Sequence, residues 1–136
     1  MDAQYRLTSL SAGLLVNDIL SHDAGVGALS NDVFPVVSEP DAVLPYICYR
    51  QSALQNAAAK GSIGADAVTV EVLCYANTYA QTVAMAEAVR TALDNVQATY
   101  EDANGTLVAR SIQLIDSEEG WSDDAYIKSL TFIIRI

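Results

Sequence analysis

Between Val68 and Ala76 the chain alternates with a period of two: Val68, Val70, Val72, Cys74 and Ala76 are all apolar, and Thr69, Glu71, Leu73 and Tyr75 fall between them. That period predicts a strand buried on one face and partly covered on the other. At Asn77-Thr78 the period changes. Tyr79, Val83, Ala86, Val89, Leu93 and Val96 recur at helical spacing, with Gln81, Glu87, Thr91, Asp94 and Asn95 mostly on the other side. Thr78 followed by Gln81 has the spacing of a capping box, which gives backbone amides at the helix start the partners they otherwise lack. One strand running directly into one helix is therefore expected over Asp66–Val96, and the rest of the chain is read around it.

Residues 3–20 read as an amphipathic helix with Ala3, Leu7, Leu10, Leu14, Val16 and Ile19 on its apolar face. Gly13 is a weak point in it, worth ~1 kcal/mol against Ala. Ser21 to Asn31, punctuated by Gly25 and Gly27, is expected to be a loop. Val33 to Val37 predicts a short strand, placed at a sheet edge because Pro35 lacks an amide donor. The turn Ser38-Glu39-Pro40-Asp41 leads to a second strand, Pro45–Gln51, and the two are expected to form a hairpin-like pair. Ser52–Asp66 is rich in Ala, Gln, Asn and Gly, with only Leu54 and Ile63 as large apolar residues. It reads as a surface connection or as an arm that orders against a neighbouring subunit.

Asn104-Gly105 is a tight-turn signal joining a ribbon at Thr99–Asp102 to a strand at Thr106–Ile115. The last strand, Ala125–Ile136, directs Tyr126, Leu130, Phe132, Ile134 and Ile136 one way and Ser129, Thr131 and Arg135 the other. Ile127 and Ile133 make the second face partly apolar too, so this strand belongs inside a sheet or against a partner. The elements together predict an α+β fold: an antiparallel-rich sheet of four to five strands, with an N-terminal helix and a central helix packed on one face. At 136 residues a single domain spanning 1–136 is expected.

Composition narrows the function more by exclusion. Apolar residues make up 51% and charged residues 18%, a globular balance. The formal charge is −10, and no two of the 7 basic residues are adjacent, so no patch for tight phosphate binding is expected. No run approaches the ~20 apolar residues that cross a bilayer. The N-terminus opens on Asp2, and Asn17 and Asp18 break its apolar run, unlike a signal peptide, so a soluble intracellular protein is expected.

Candidate chemistry is sparse. Cys48 and Cys74 both fall in predicted strands and read as buried thiols in a reducing compartment, with no metal-ligand spacing. His22, the only histidine, lies in a predicted loop without a nucleophile or carboxylate partner placed nearby. Asp116, Glu118, Glu119, Asp123 and Asp124 invite a calcium reading, but the EF-hand spacing of alternate ligands before a central glycine is missing. A solvated acidic hairpin loop over 116–124 is expected there. Trp121, the only tryptophan, either folds back on the core or anchors an interface. No catalytic, cofactor or metal residues are assigned, and an enzyme is not expected.

The order of elements resembles the tail terminator, or tail completion, proteins of tailed phages and prophages. The likeness rests on the N-terminal helix, on Leu44-Pro45-Tyr46-Ile47-Cys48-Tyr49, on the strand-into-helix stretch Val68–Asp94, and on the acidic turn before the final strand from Tyr126. The resemblance implies a non-enzymatic virion structural protein that assembles as a ring, often of six, caps the tail tube, and meets the head connector. It implies DNA passing through the lumen without specific binding, no cofactor and no membrane, and a location in the virion tail after assembly in the host cytoplasm. Interface candidates are Pro35, Trp121, Glu118 and Glu119. A head–tail neck protein, another ring-forming virion subunit and a cytoplasmic binding module unrelated to phage stand as alternatives.

Overall fold

The computed structural model describes residues 5–56 and 66–136. Ala3 and most of the Ser52–Asp66 connection, Ile63 included, lie outside the described residues. After a 3₁₀ turn (Ser9–Ser11) come α1 (Ala12–His22), α2 (Ala24–Leu29), β1 (Val33–Pro35), β2 (Tyr46–Gln55) and β3 (Ala67–Ala76). Then follow α3 (Tyr79–Leu93), β4 (Val96–Asp102), β5 (Gly105–Ser122) and β6 (Ala125–Arg135). Six strands form one sheet in the order β1-β2-β3-β6-β5-β4, one strand more than the upper end of the sequence expectation.

The strand-into-helix unit stands as expected. On β3 the even residues Val68 to Ala76 are fully buried and the odd ones half-buried. Thr78 caps α3 by accepting a bond from the Gln81 amide at 3.2 Å, which is the Thr78 half of the capping box. The buried stripe of α3 is Thr82, Met85, Ala86, Val89 and Leu93, while Tyr79 stays exposed. Thr82 buries its hydroxyl by donating to the Tyr79 carbonyl at 2.6 Å. The helix stops at Leu93, short of Val96, because Asn95 turns left-handed (φ 61°). Asp94 holds this corner: it accepts from Arg90 Nε at 3.2 Å and from the Leu114 amide at 2.9 Å.

β6 sits inside the sheet, antiparallel to both β3 and β5. Leu130, Phe132 and Ile134 descend from it into the core beneath α3, opposite Val72, Val70 and Val68. Contacts of α1 reach β1 and β2 at one end of the sheet order and β4 at the other. The sheet therefore curls, and α1 and α3 share its concave face. Leu15, Val16 and Leu20 of α1 complete the core there.

Several expectations are corrected. Residues 5–8 of the expected helix are not helical, and the first helix is entered through the 3₁₀ turn, where Thr8 and Ser11 form a reciprocal capping box. The buried stripe that follows is Ala12, Leu15, Val16 and Leu20, which leaves Leu10 77% exposed and Leu14 partly so. The expected loop at 21–31 contains α2, whose start Asp23 caps by accepting from the Val26 amide at 3.0 Å. β1 and β2 pair in parallel, with Val33 opposite Ile47 and Pro35 opposite Tyr49, so they are not a hairpin. β1 stops at Pro35 because Val36 takes φ 65° and the Val37 amide bonds back to the Pro35 carbonyl at 2.7 Å. That is a strained three-residue turn for a β-branched side chain. The chain then returns through residues 36–45 to start β2 at the same end, as a parallel pair requires. The acidic stretch is not a loop: β5 runs on to Ser122, and only Asp123-Asp124 form the turn.

Two substitutions test this packing. Phe132→Ala removes a fully buried ring and is expected to cost about 3–5 kcal/mol in urea unfolding. Gly13→Ala should stabilise by up to about 1 kcal/mol, since an added methyl would meet only the Tyr49 ring at 3.6 Å.

Candidate assembly surfaces

The distal half of the β5–β6 hairpin is where the fold spends residues without building core. β4 pairs with β5 only from Gly105 to Ile112, so beyond Leu114 β5 is an edge strand. Every residue from Ile115 to Ser122 is exposed. Two-residue hairpins place a hydrogen-bonded pair beside the turn, here Ser122–Ala125, and bonded pairs recur at alternate positions. Gly120–Ile127 and Glu118–Ser129 then bond across the hairpin, and Ser117, Glu119 and Trp121 turn their amides outward. Asp116 occupies one of these, accepting from the Ser117 amide at 2.9 Å. The outward amides of Glu119 and Trp121 have no partner among the described residues.

The side chains divide by face. Trp121 and Glu119 lie opposite Tyr126 and Lys128, on the side that carries α3. Glu119 Oε2 accepts from the Tyr79 hydroxyl at 2.6 Å and from Lys128 Nζ at 2.7 Å, which clasps the hairpin to the start of α3. The Lys128 ammonium, with help from the Tyr79 hydroxyl, holds the Glu119 carboxyl below its ordinary value. In return the Glu119 hydrogen bonds raise both Lys128 and Tyr79. Tyr79 and Tyr126 meet edge to face at 6.2 Å, and Trp121, 61% exposed, stands opposite Tyr126. Three exposed aromatic rings thus share one end of the hairpin, which is the composition of an interface hot spot. Trp121 does not fold back on the core. The turn itself holds Asp123 (φ 50°) and Asp124 (φ 62°), both left-handed, where Asn-Gly would be the relaxed choice.

The other interface candidates fall apart in space or in role. Pro35 ends the edge strand β1, exposed, and strand alternation turns its nitrogen away from β2. Glu118 lies on the face opposite Glu119, with its carbonyl near the Ser129 hydroxyl at 3.5 Å. Sequence reasoning missed the pairing of Trp121 with Tyr126 and Tyr79, because Tyr79 fits the apolar stripe of a helix equally well. It also missed the exposed valines 36, 37 and 43 on the chain between β1 and β2.

The reactive side chains are occupied otherwise. Cys48 and Cys74 are buried and reduced, and burial pushes the Cys74 thiol up to about 12 and raises Cys48 as well. Their register, Cys48 opposite Leu73 and Ile47 opposite Cys74, puts the two sulfurs on opposite faces of the sheet. His22 ends α1 and does have a carboxylate neighbour: its Nδ1 is 3.2 Å from Asp18 Oδ1, one turn back. Among the described residues no three His, Cys, Asp or Glu side chains converge to hold a metal. Asp116 and Glu118 share one face of β5 and Glu119 the other. No helix among the described residues is long and apolar enough to cross a membrane.

The fold is thus a curled α+β sheet with an exposed hairpin whose end carries three aromatic rings. The chain matches the family model of tail completion protein gp17 over residues 16–132 and belongs to that family, so it is a structural protein of a phage-like tail. Among solved structures it is similar to a chain from the "Virion of native gene transfer agent (GTA) particle", with a TM-score of 0.67 and 19% identity. That alignment covers 94% of this chain and 98% of the other, and at that identity it shows a shared fold. No curated protein matches.

The clasp makes a pH prediction. Glu119 is depressed below its ordinary 4.5, so its contribution is present above that pH and is lost as pH falls through the lower folded value. Lys128 is raised above its ordinary 10.5, so its share is present below that and disappears as pH climbs through the higher folded value. Tyr79→Phe should therefore speed hydrogen exchange across residues 117–127 at neutral pH. In strong acid, with Glu119 protonated in both proteins, the variant and the parent should exchange alike.

Proposed function

We propose that this chain, acting as one domain, forms a ring that caps the tail tube and presents its other side to the head connector. The observation that supports this most is the exposed hairpin end bearing Trp121, Tyr126 and Tyr79 in a chain of the tail completion family. A monomer gains nothing from holding three rings in water, whereas a subunit that buries them against a neighbour does. Ring closure also deals with the open edge of β5, which would otherwise remain a template for unwanted pairing.

The acidic charge fits a ring with a lumen. At a formal −10 the subunit repels phosphate, so DNA would slide through the bore without specific contacts. On this reading the partners are copies of the chain itself, the tail tube protein and the head connector, with no cofactor and no membrane. The protein would collect in the host cytoplasm before joining the virion tail.

Electron microscopy of the purified protein, alone and with tail tubes, tests the proposal. Rings alone, or single rings at tube ends, are the expected result; tubes that stay bare and continue to lengthen would reject it. In the same assay Trp121→Ala should keep its thermal midpoint within a few degrees, because the ring is exposed, and yet lose ring formation.

A further inference from the structure

The face of the sheet turned away from α1 and α3 carries a cleft at its hairpin end. Tyr46 lies opposite Tyr75 and Tyr75 opposite Ile127, and strand alternation points all three away from the core, where Cys74 and Ala76 are buried. The two tyrosine rings stack at 4.9 Å, and Phe34 meets Tyr46 edge on at 5.7 Å. Ala42 and Leu44, on the connection between β1 and β2, wall the cleft, and Asp123 of the hairpin turn also lines it. The Ser38 hydroxyl ties that connection to the sheet by donating to the Tyr46 hydroxyl at 3.4 Å. The space between them is ≈ 380 Å³. Residues 1–4 and 57–65 join the described chain at the other end of the sheet, where Leu7 bonds Asn104 and Asp66 bonds Ile136, roughly 30 Å along β6 from Ile127.

The polar groups of this cleft are unused. Among the described residues neither the Asp123 carboxylate nor the Tyr75 hydroxyl makes a hydrogen bond or an ion pair. The charges around it share one sign. Glu39 and Asp41 sit on the walling connection, Asp124 in the turn, and Glu118 on the same face of β5. Of the cations on β2 and β6, Arg50 is bound to Glu71, and Lys128 turns to the other face and is bound to Glu119. Arg135 lies at the far end of β6.

We propose that this cleft receives the guanidinium group of an arginine on a basic partner protein, with Asp123 as its counter-ion and the tyrosine pair as its aromatic neighbour. A guanidinium suits aromatic rings beside an unpaired carboxylate, because its planar cation both stacks on a ring and forks two hydrogen bonds to a carboxylate. A copy of this chain is the poorer occupant: it would bring its own excess of carboxylates to a face that is already acidic. The cleft lies on the face opposite to the one that bears Trp121 and Glu119, so the proposal does not depend on the ring reading.

Nuclear magnetic resonance titration of the full chain with Nα-acetylarginine amide tests it, with Nα-acetylcitrulline amide as the uncharged probe of the same shape. The arginine probe should shift signals of residues 42–46, 75 and 122–127 saturably, and bind at least about tenfold more tightly than the citrulline probe. Asp123→Asn, which keeps a residue at ease in a left-handed turn, and Tyr75→Leu should each weaken the arginine probe at least about threefold. Glu101→Gln, at the far end of the sheet, should leave it unchanged. The dispersion of the same spectra shows that each variant is folded; should Tyr75→Leu fail there, Asp123→Asn carries the comparison. Equal binding of the two probes, or shifts spread evenly over the acidic surface, overturns the proposal. In particle assembly Asp123→Lys should leave rings on tail tubes and lower the yield of complete particles at least about tenfold. An undiminished yield overturns the partner protein, and loss of the rings themselves makes a copy the occupant and overturns it too. A parent without rings removes the ring reading and leaves the titration and the yield to decide this one.

Discussion

The fold depends on α1 touching both extremes of one sheet. A flat sheet of six strands would hold β1 and β4 far apart, yet this single helix packs against β1 and β2 on one side and β4 on the other. The sheet must curl to allow it, and the curl creates the concave face on which Leu15, Val16 and Leu20 meet the residues beneath α3. β5 outruns β4 at the point where this enclosure ends. The exposed hairpin is thus the part of the sheet that α1 and β4 do not reach.

How far the sequence could be read follows from where burial is one-sided. β3, α3 and β6 were legible because alternation or helical spacing maps directly onto the core: Val68 to Ala76 and Leu130 to Ile134 are buried as their periods demand. Pro35 marked an edge for a reason that holds locally, the missing donor. The N-terminal helix was harder, because Leu10 and Leu14 satisfy helical spacing on a face left exposed by the described residues, and the capping pair Thr8 and Ser11 is a weaker signal than a leucine. The pairing of β1 with β2 was invisible: direction is set by the course of residues 36–45, and a valine at φ 65° cannot be expected from its propensity. The acidic strand was read as loop because strand patterning reports burial, and a strand exposed on both faces has none to report. It is held there by its register with β6.

The candidate site shows the same limit more sharply. Trp121 could be singled out by type alone, but its companions are brought by topology. Tyr79 comes from the first turn of α3, 42 positions away in sequence, and Tyr126 from across the turn. Glu119 looked like surface charge and is instead the atom that ties Tyr79 to Lys128. Its role within the chain leaves Asp116, Glu118 and the turn carboxylates as the charge offered outward. Burial raises both thiols, Cys74 to about 12. What the hairpin end exposes is aromatic area and negative charge.

Because Ile115 to Ser122 contribute almost nothing to the interior, this portion of the chain can be changed without opening a cavity in the core. Substitutions there change the exposed surface of the hairpin while the scaffold beneath continues to fold. An engineer could rewrite the exposed positions of this segment other than Glu119, or transplant the whole of it between related subunits with Tyr79 and Lys128 carried along to fasten it.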